Sequence, residues 1–343
     1  LKTSCHYAFI AACLAVFVFC QPANAREQIR IVGSSTVYPF AASVAEHFGK
    51  AGDFKTPVVE STGTGAGFKL FCGGIGESYP DVTNASRRML DSEREQCAKA
   101  GVKNITEVKF GFDGITLANS LAGPRFSLTK KQICLALARD IPKEGKLVAN
   151  PYKRWKEIES TLPDLPIKIY GTPPVSGTRD TFVELVMEKG CAEVAGFAAV
   201  VPDENDRKRQ FQLIREDGAF IEAGENGNLI AQKLISDPDA LGIFGFSFLE
   251  QNSGRVQGNT INGVTPSFEA IQSGAYSISR PLYFYIKAED MAFVPGIREY
   301  LREFLSDAAI GDEGYLVNEG LVPLNGSERA KIRDALEPQL HTN

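Results

Sequence analysis

Apolar residues recur in two rhythms along this chain. Short runs at Ile29–Val32, Val58–Glu60 and Ile167–Tyr170 read as strands. Each is followed by a turn rich in glycine or hydroxyls, and then by apolar residues three and four apart, the spacing of a helix. The helices so predicted run through about Phe48, begin near Phe68, and span about Arg179 to Lys189. Alternating strands and helices, with no internal repeat, low-complexity tract or heptad, predict an α/β class. Tyr283, Phe284 and Tyr285 read as a buried strand, Trp155 as a packing residue, and the stretch after Ser327 as a capped amphipathic helix.

The N-terminus has a different pattern. Lys2 precedes an unbroken apolar run from Tyr7 to Cys20, followed by Gln21, Pro22, Ala23, Asn24 and Ala25. The run falls short of the roughly 20 residues that span a bilayer, and the A-x-A triplet predicts cleavage after Ala25, so residues 1–25 read as a secretory signal peptide. Phe19 stands before Cys20 where a lipid-anchor motif needs a small residue. The expected product is a protein exported to the periplasm. No later apolar stretch is long enough to cross a membrane.

The whole chain carries 37 basic and 42 acidic residues, and Lys2 is the only charge inside the signal, so the mature chain has a net charge of −6. That balance excludes nucleic acid as a partner, and any anion site must work through local dipoles and a few placed cations. Cys72, Cys97, Cys134 and Cys191 remain after export, with no C-x-x-C pair and no metal-ligand spacing around the histidines His47 and His341. In an oxidising compartment four cysteines imply two disulfides, for which three pairings exist.

The three strand-to-helix turns share one chemistry. They are Gly33, Ser34, Ser35, Thr36; then Ser61, Thr62, Gly63, Thr64, Gly65, Ala66, Gly67; and then Val175, Ser176, Gly177, Thr178. Glycine lets the backbone come close, while hydroxyls and unpaired N–H groups at a helix start suit a tetrahedral oxyanion. Gly67 is followed by Phe68, where a P-loop requires lysine, and a G-x-G-x-x-G motif would need its third glycine at Phe68. Two arginines stand beside these turns, Arg87 and Arg179, and guanidinium forks match oxyanion geometry.

Taken in order, Gly33 to Pro39 (GSSTVYP), Ser61 to Lys69 (STGTGAGFK), Asp81 to Arg87 (DVTNASR), Ser176 to Phe182 (SGTRDTF), Ala240 to Phe246 (ALGIFGF) and Gly320 to Leu324 (GLVPL) resemble the periplasmic phosphate-binding protein of the high-affinity Pst phosphate importer. The resemblance covers most of the mature chain. It implies a two-lobed, type II (Venus-flytrap) periplasmic-binding-protein fold with discontinuous lobes, expected at 26–115 plus 284–343 and at 116–283. The pairings Cys72–Cys97 and Cys134–Cys191 are then favoured, because each stays within one lobe. The implied function is capture of inorganic phosphate between the lobes by a non-enzymatic monomer with no cofactor and no metal. Hinge closure would signal the membrane permease subunits of an ABC importer. The expected ligand contacts are Ser35, Thr36, Val37, Thr64, Arg87, Ser176, Gly177, Thr178 and Arg179.

Two family positions differ. Many members carry an aspartate where this chain has Arg87, and an arginine where it has Thr172. Arg179 is the expected replacement cation, and Glu60, Asp113 and Asp180 are the candidate replacement carboxylates. These differences keep sulfate, molybdate and tungstate open as ligands. A reading from another class is a secreted phosphatase-type hydrolase with Ser176 or Thr64 as nucleophile. Ser176, however, sits in V-S-G-T rather than G-x-S-x-G.

Overall fold

The computed structural model describes residues 26–341 except Val175 and Glu225, so the signal-peptide reading of residues 1–25 lies outside the described residues. Strand β1 (Arg30–Gly33) leads into helix α1 (Tyr38–Lys50), and β2 (Val58–Ser61) into α2 (Thr64–Phe71). Then come β3 (Val82–Ala85) and the 16-residue β4 (Ile105–Ser120). After β5 (Ile169–Gly171) a continuous helical segment begins with α3 (Gly177–Phe182), passes through a π turn at Val183–Met187 and ends as α-helix at Glu188–Ala192. Strands β6 (Phe220–Glu222), β7 (Leu241–Gly245) and β8 (Ser279–Lys287) follow, and Gly326–His341 closes the chain as a helix.

These eight strands run in the order β2-β1-β3-β8-β4-β7-β5-β6 in one ten-stranded sheet, whose other two strands, Val256–Gly258 and Val322–Pro323, pair with β4. Its two ends differ in construction. β1 is parallel to β2 and β3, whereas β8 is antiparallel to both β3 and β4. β4 pairs with β8 from Ile105 to Gly114 and then, from Ile115 to Ala118, with β7, so one strand serves both halves of the sheet. Parallel β5, β6 and β7 complete the second half.

The core divides along the same strand. Ile31, Phe110, Leu282, Phe284, Tyr300 and Phe304 belong to one cluster, with a satellite of Phe68, Phe71, Tyr283 and Tyr285. Ile115, Leu117, Trp155, Phe182, Ile243 and Phe244 belong to the other, which the C-terminal residues Val322 and Leu324 also join. Burial of this apolar surface, worth roughly 25 cal/mol per Å², thus stabilises two lobes joined by paired strands. Disulfides link Cys72 to Cys97 and Cys134 to Cys191, tying α2 to the helix Asp91–Lys99 and the helix Lys130–Leu137 to Glu188–Ala192.

Trp155 is wholly buried and meets Phe126 edge-on at 5.5 Å. The run Tyr283–Tyr285 is buried within β8. The strand expected from Ile167 starts two residues later, because the Ile167 N–H bonds the Lys153 carbonyl at 2.8 Å instead of joining the sheet. No described helix is long and apolar enough to cross a membrane.

Candidate functional site

β1 ends at Gly33, whose φ of +130° favours glycine and whose missing side chain leaves room for the Asn84 backbone. The chain then turns on hydrogen bonds from Ser34 N–H to the Asn84 carbonyl (2.9 Å) and from Tyr38 N–H to the Ser34 carbonyl (2.9 Å). The Ser34 hydroxyl accepts from Val37 N–H at 3.4 Å. In the second turn Thr62 and Gly63 donate to the Gly33 carbonyl at 2.9 and 2.8 Å, which holds it against the first. Thr64 opens α2, and its hydroxyl accepts the Ser86 N–H and meets the Ser86 hydroxyl, both at 3.2 Å. Three loops from one lobe therefore converge.

The third turn comes from the other lobe and closes on them. A Cβ placed on Gly177 would lie 2.7 Å from Thr36 Cα and 2.9 Å from the Ser35 carbonyl oxygen, so only glycine permits this approach. The Ser35 hydroxyl donates to the Asp180 carboxylate, and the Thr36 and Thr181 hydroxyls lie 3.3 Å apart. Helical geometry explains the grouping. Residues three, four and seven positions beyond Gly177 share its face, which turns Asp180, Thr181 and Glu184 toward the opposite lobe.

A cavity of about 230 Å³ lies beside this contact, walled by Ser35, Thr36, Thr64 and Ser86 with the guanidinium groups of Arg87 and Arg280. Asp180 and Glu184 bring two carboxylates to the same walls. Arg280 is 8% exposed. It donates to the Thr36 hydroxyl at 2.7 Å, the Thr181 hydroxyl at 2.5 Å and the Glu184 carboxylate at 2.6 Å. Its Nε lies 3.8 Å from the Asp113 carboxylate, its register partner across β4 and β8. Burial pushes the Asp113 carboxyl above its ordinary range, against the pull of Arg280 and of a 2.9 Å hydrogen bond from Thr181.

No local sequence pattern marks Arg280 as a ligand residue. It precedes Pro281 in a run that reads as core, and the only local signal is a charge before apolar neighbours. The two arginines that were singled out go different ways. Arg87 lines the cavity, with its fork held by both Glu93 oxygens at 2.7 and 2.9 Å and its plane 5.6 Å from the Phe68 ring. That pairing raises its already high pKa. Arg179, two positions beyond Gly177, projects to another side of the helix, where it lies over the Phe220 ring at 4.4 Å and donates to the Thr172 carbonyl at 3.4 Å. The structure thus puts Arg280, and not Arg179, on the wall of this cavity.

Of the remaining expected contacts, Val37 is wholly buried at the start of α1. Ser176, Gly177 and Thr178 line a second cavity of about 390 Å³ with Thr36 and Asp113, and are not among the residues that wall the first. Among the candidate carboxylates, Glu60 is exposed on β2, 3.9 Å from Arg30. Asp113 and Asp180 stand at the junction of the lobes. Thr64 and Ser86 are paired to each other, and His47 stacks on Tyr315 at 3.9 Å rather than beside any of these hydroxyls.

A family model described as PBP superfamily domain matches residues 21–308. Protein SphX of Synechococcus elongatus is 31% identical over 323 residues, which cover 92% of this chain and 83% of SphX. Phosphate-binding protein PstS of Staphylococcus saprophyticus is 28% identical over 281 residues, 80% of this chain and 75% of that one. Among solved structures, one from Planctomyces limnophilus, described as "a possible phosphate binding protein", superposes with a TM-score of 0.70 at 25% identity, covering 91% of this chain and 98% of its own.

Proposed function

The chain belongs to the PBP superfamily and is PstS-like, and from that premise we propose that it captures inorganic phosphate between its lobes and delivers it to an ABC importer. The observation that carries this reading is the cavity where the Ser35, Thr36, Thr64 and Ser86 hydroxyls of one lobe meet two guanidinium groups, Arg87 and Arg280, opposite the helix that bears Asp180 and Glu184. Neutral donors at short range and a few desolvated cations can hold an oxyanion in a protein whose overall charge is negative.

In this reading Ser35, Thr36, Val37 and Thr64 present the first lobe's hydroxyls and N–H groups, with Arg87 behind them. Ser176, Gly177 and Thr178 close from the second lobe, and Arg280 supplies the cation at the crossing strands. Arg179 steadies the closing turn against Phe220. The proposed crossings between lobes, near residues 115–116 and 283–284, are supported by β4 leaving β8 for β7 after Gly114 and by the pairing of β8 with β4, which would put the Asp113–Arg280 pair at the hinge. Parting the lobes would break the Ser35–Asp180 and Thr36–Thr181 contacts and widen the cavity's access to solvent. The protein would work as a periplasmic monomer after removal of residues 1–25, docking on the permease subunits when closed.

The test is equilibrium dialysis of labelled phosphate against the mature protein and two variants, Thr64→Ala and Arg280→Gln. Retention by the wild type, weakened at least tenfold in each variant, supports the site. Equal retention by all three places the anion elsewhere. Loss of a charge-assisted hydrogen bond, worth about 1.5–3 kcal/mol, is the basis for the tenfold figure.

A further inference from the structure

The cavity holds two cations and two carboxylates of its own, and their pairing is unequal. Arg87 is gripped by both oxygens of Glu93, which also accepts the Leu90 N–H at 2.9 Å and has a side chain only 14% exposed. Glu184 reaches Arg280 by a single hydrogen bond of 2.6 Å, and its side chain is 53% exposed. Glu184 stands in the π turn Val183–Met187, a helical irregularity common where a side chain serves function.

Arg280 offers five N–H groups. Its Nη2 bonds Thr36 and Thr181, and its Nε is buried without a hydrogen-bond partner, facing Asp113. The remaining nitrogen, Nη1, is the one Glu184 holds. An anion seated against Ser35, Thr36 and Thr64 can engage this guanidinium only by sharing or taking that nitrogen. Glu184 is the partner able to yield, because water can solvate a half-exposed carboxylate that swings away, whereas Thr36 and Thr181 are buried.

We propose that Glu184 is an exchangeable internal anion: it holds the Arg280 fork, gives it up to the incoming oxyanion and recaptures it as the oxyanion leaves. This rests on the reading that phosphate seats in this cavity. Glu184 then sets how long the ligand stays, because it competes for the same donor and adds a negative charge to the walls at the moment of departure. Affinity differences within one site appear mostly in dissociation rates, so the off-rate is the quantity to read.

The experiment is stopped-flow release of phosphate from the wild type, Glu184→Gln and Glu188→Gln, with equilibrium titration and thermal midpoints alongside. Glu188 lies on the next turn and contacts Gln212 and Lys208 instead of the cavity. The expected result is release about three- to tenfold slower from Glu184→Gln, a matching fall in Kd, and an on-rate and midpoint close to wild type. Glu188→Gln should release at the wild-type rate. Release from Glu184→Gln at the wild-type rate or faster overturns the role of Glu184 alone. A wild type that retains no phosphate overturns both this proposal and the functional reading beneath it.

Discussion

Gly177 is the point at which one lobe touches the backbone of the other, so Gly177→Ala probes the junction without touching a charge. The added Cβ would stand 2.7 Å from Thr36 Cα and 2.9 Å from the Ser35 carbonyl oxygen. Carbon atoms in contact prefer about 3.5–4.0 Å, so about 1 Å must be found. The partners are backbone atoms, and Thr36 is further held by Arg280. The lobes themselves have to part. Overpacking of this kind costs about 1–3 kcal/mol, and here the cost falls on the closed arrangement rather than on either lobe. The φ of Gly177 is outside the left-handed region, and alanine is the better helix former at the start of α3. The expected result by calorimetric titration is phosphate affinity reduced about 5- to 150-fold, with little change in thermal midpoint. Gly254→Ala, where a Cβ meets nothing within 4 Å, is the matched control. Wild-type affinity in Gly177→Ala would refute the claim that this contact closes the site.

Other consequences are independent of that contact. Thr64→Ala should weaken phosphate binding by about 1.5–3 kcal/mol, read by titration, since it strips a hydroxyl from the cavity wall and leaves the Ser86 N–H without its acceptor. Asp81 is wholly buried, and burial pushes its carboxyl up to about 6, so the folded state keeps a proton that the unfolded state releases near its ordinary value of 3.8. Stability from this group is therefore full below about pH 4 and lost as pH rises through 6. In urea unfolding between pH 4 and 7, the wild type should lose at most about 3 kcal/mol relative to Asp81→Asn, and parallel pH profiles would remove Asp81 as the cause. Replacing Cys134 and Cys191 together by serine opens a linkage of 57 residues' separation, and should cost up to about 4 kcal/mol in denaturant unfolding on the chain-entropy account.

What could be read from the sequence was what is encoded locally. The three turns were legible because glycine and hydroxyls at a strand end leave the same mark wherever they occur, and β1, α1, β2 and α2 follow the apolar rhythm within a few residues. The helix after Ser176 was legible as a helix but not as one interrupted by a π turn, since Val183–Met187 has the same apolar spacing either way. Arg179 drew notice by adjacency to Thr178, yet adjacency along a helix is not a shared face: residues three, four and seven beyond Gly177 meet the opposite lobe, and the residue two beyond does not. Arg280 was illegible for a deeper reason. Its place at the cavity depends on the pairing of β8 with β4, which sets it opposite Asp113 across 167 positions of sequence, and no local pattern contains that register.

The central claim is that an oxyanion, phosphate, is held between the lobes. The most direct measurement is calorimetric titration of the anion-stripped mature protein with phosphate, and separately with sulfate. The account predicts saturable 1:1 phosphate binding that is weakened at least tenfold in Thr64→Ala and in Arg280→Gln. Absence of phosphate binding, or a phosphate isotherm that neither substitution alters, would contradict it.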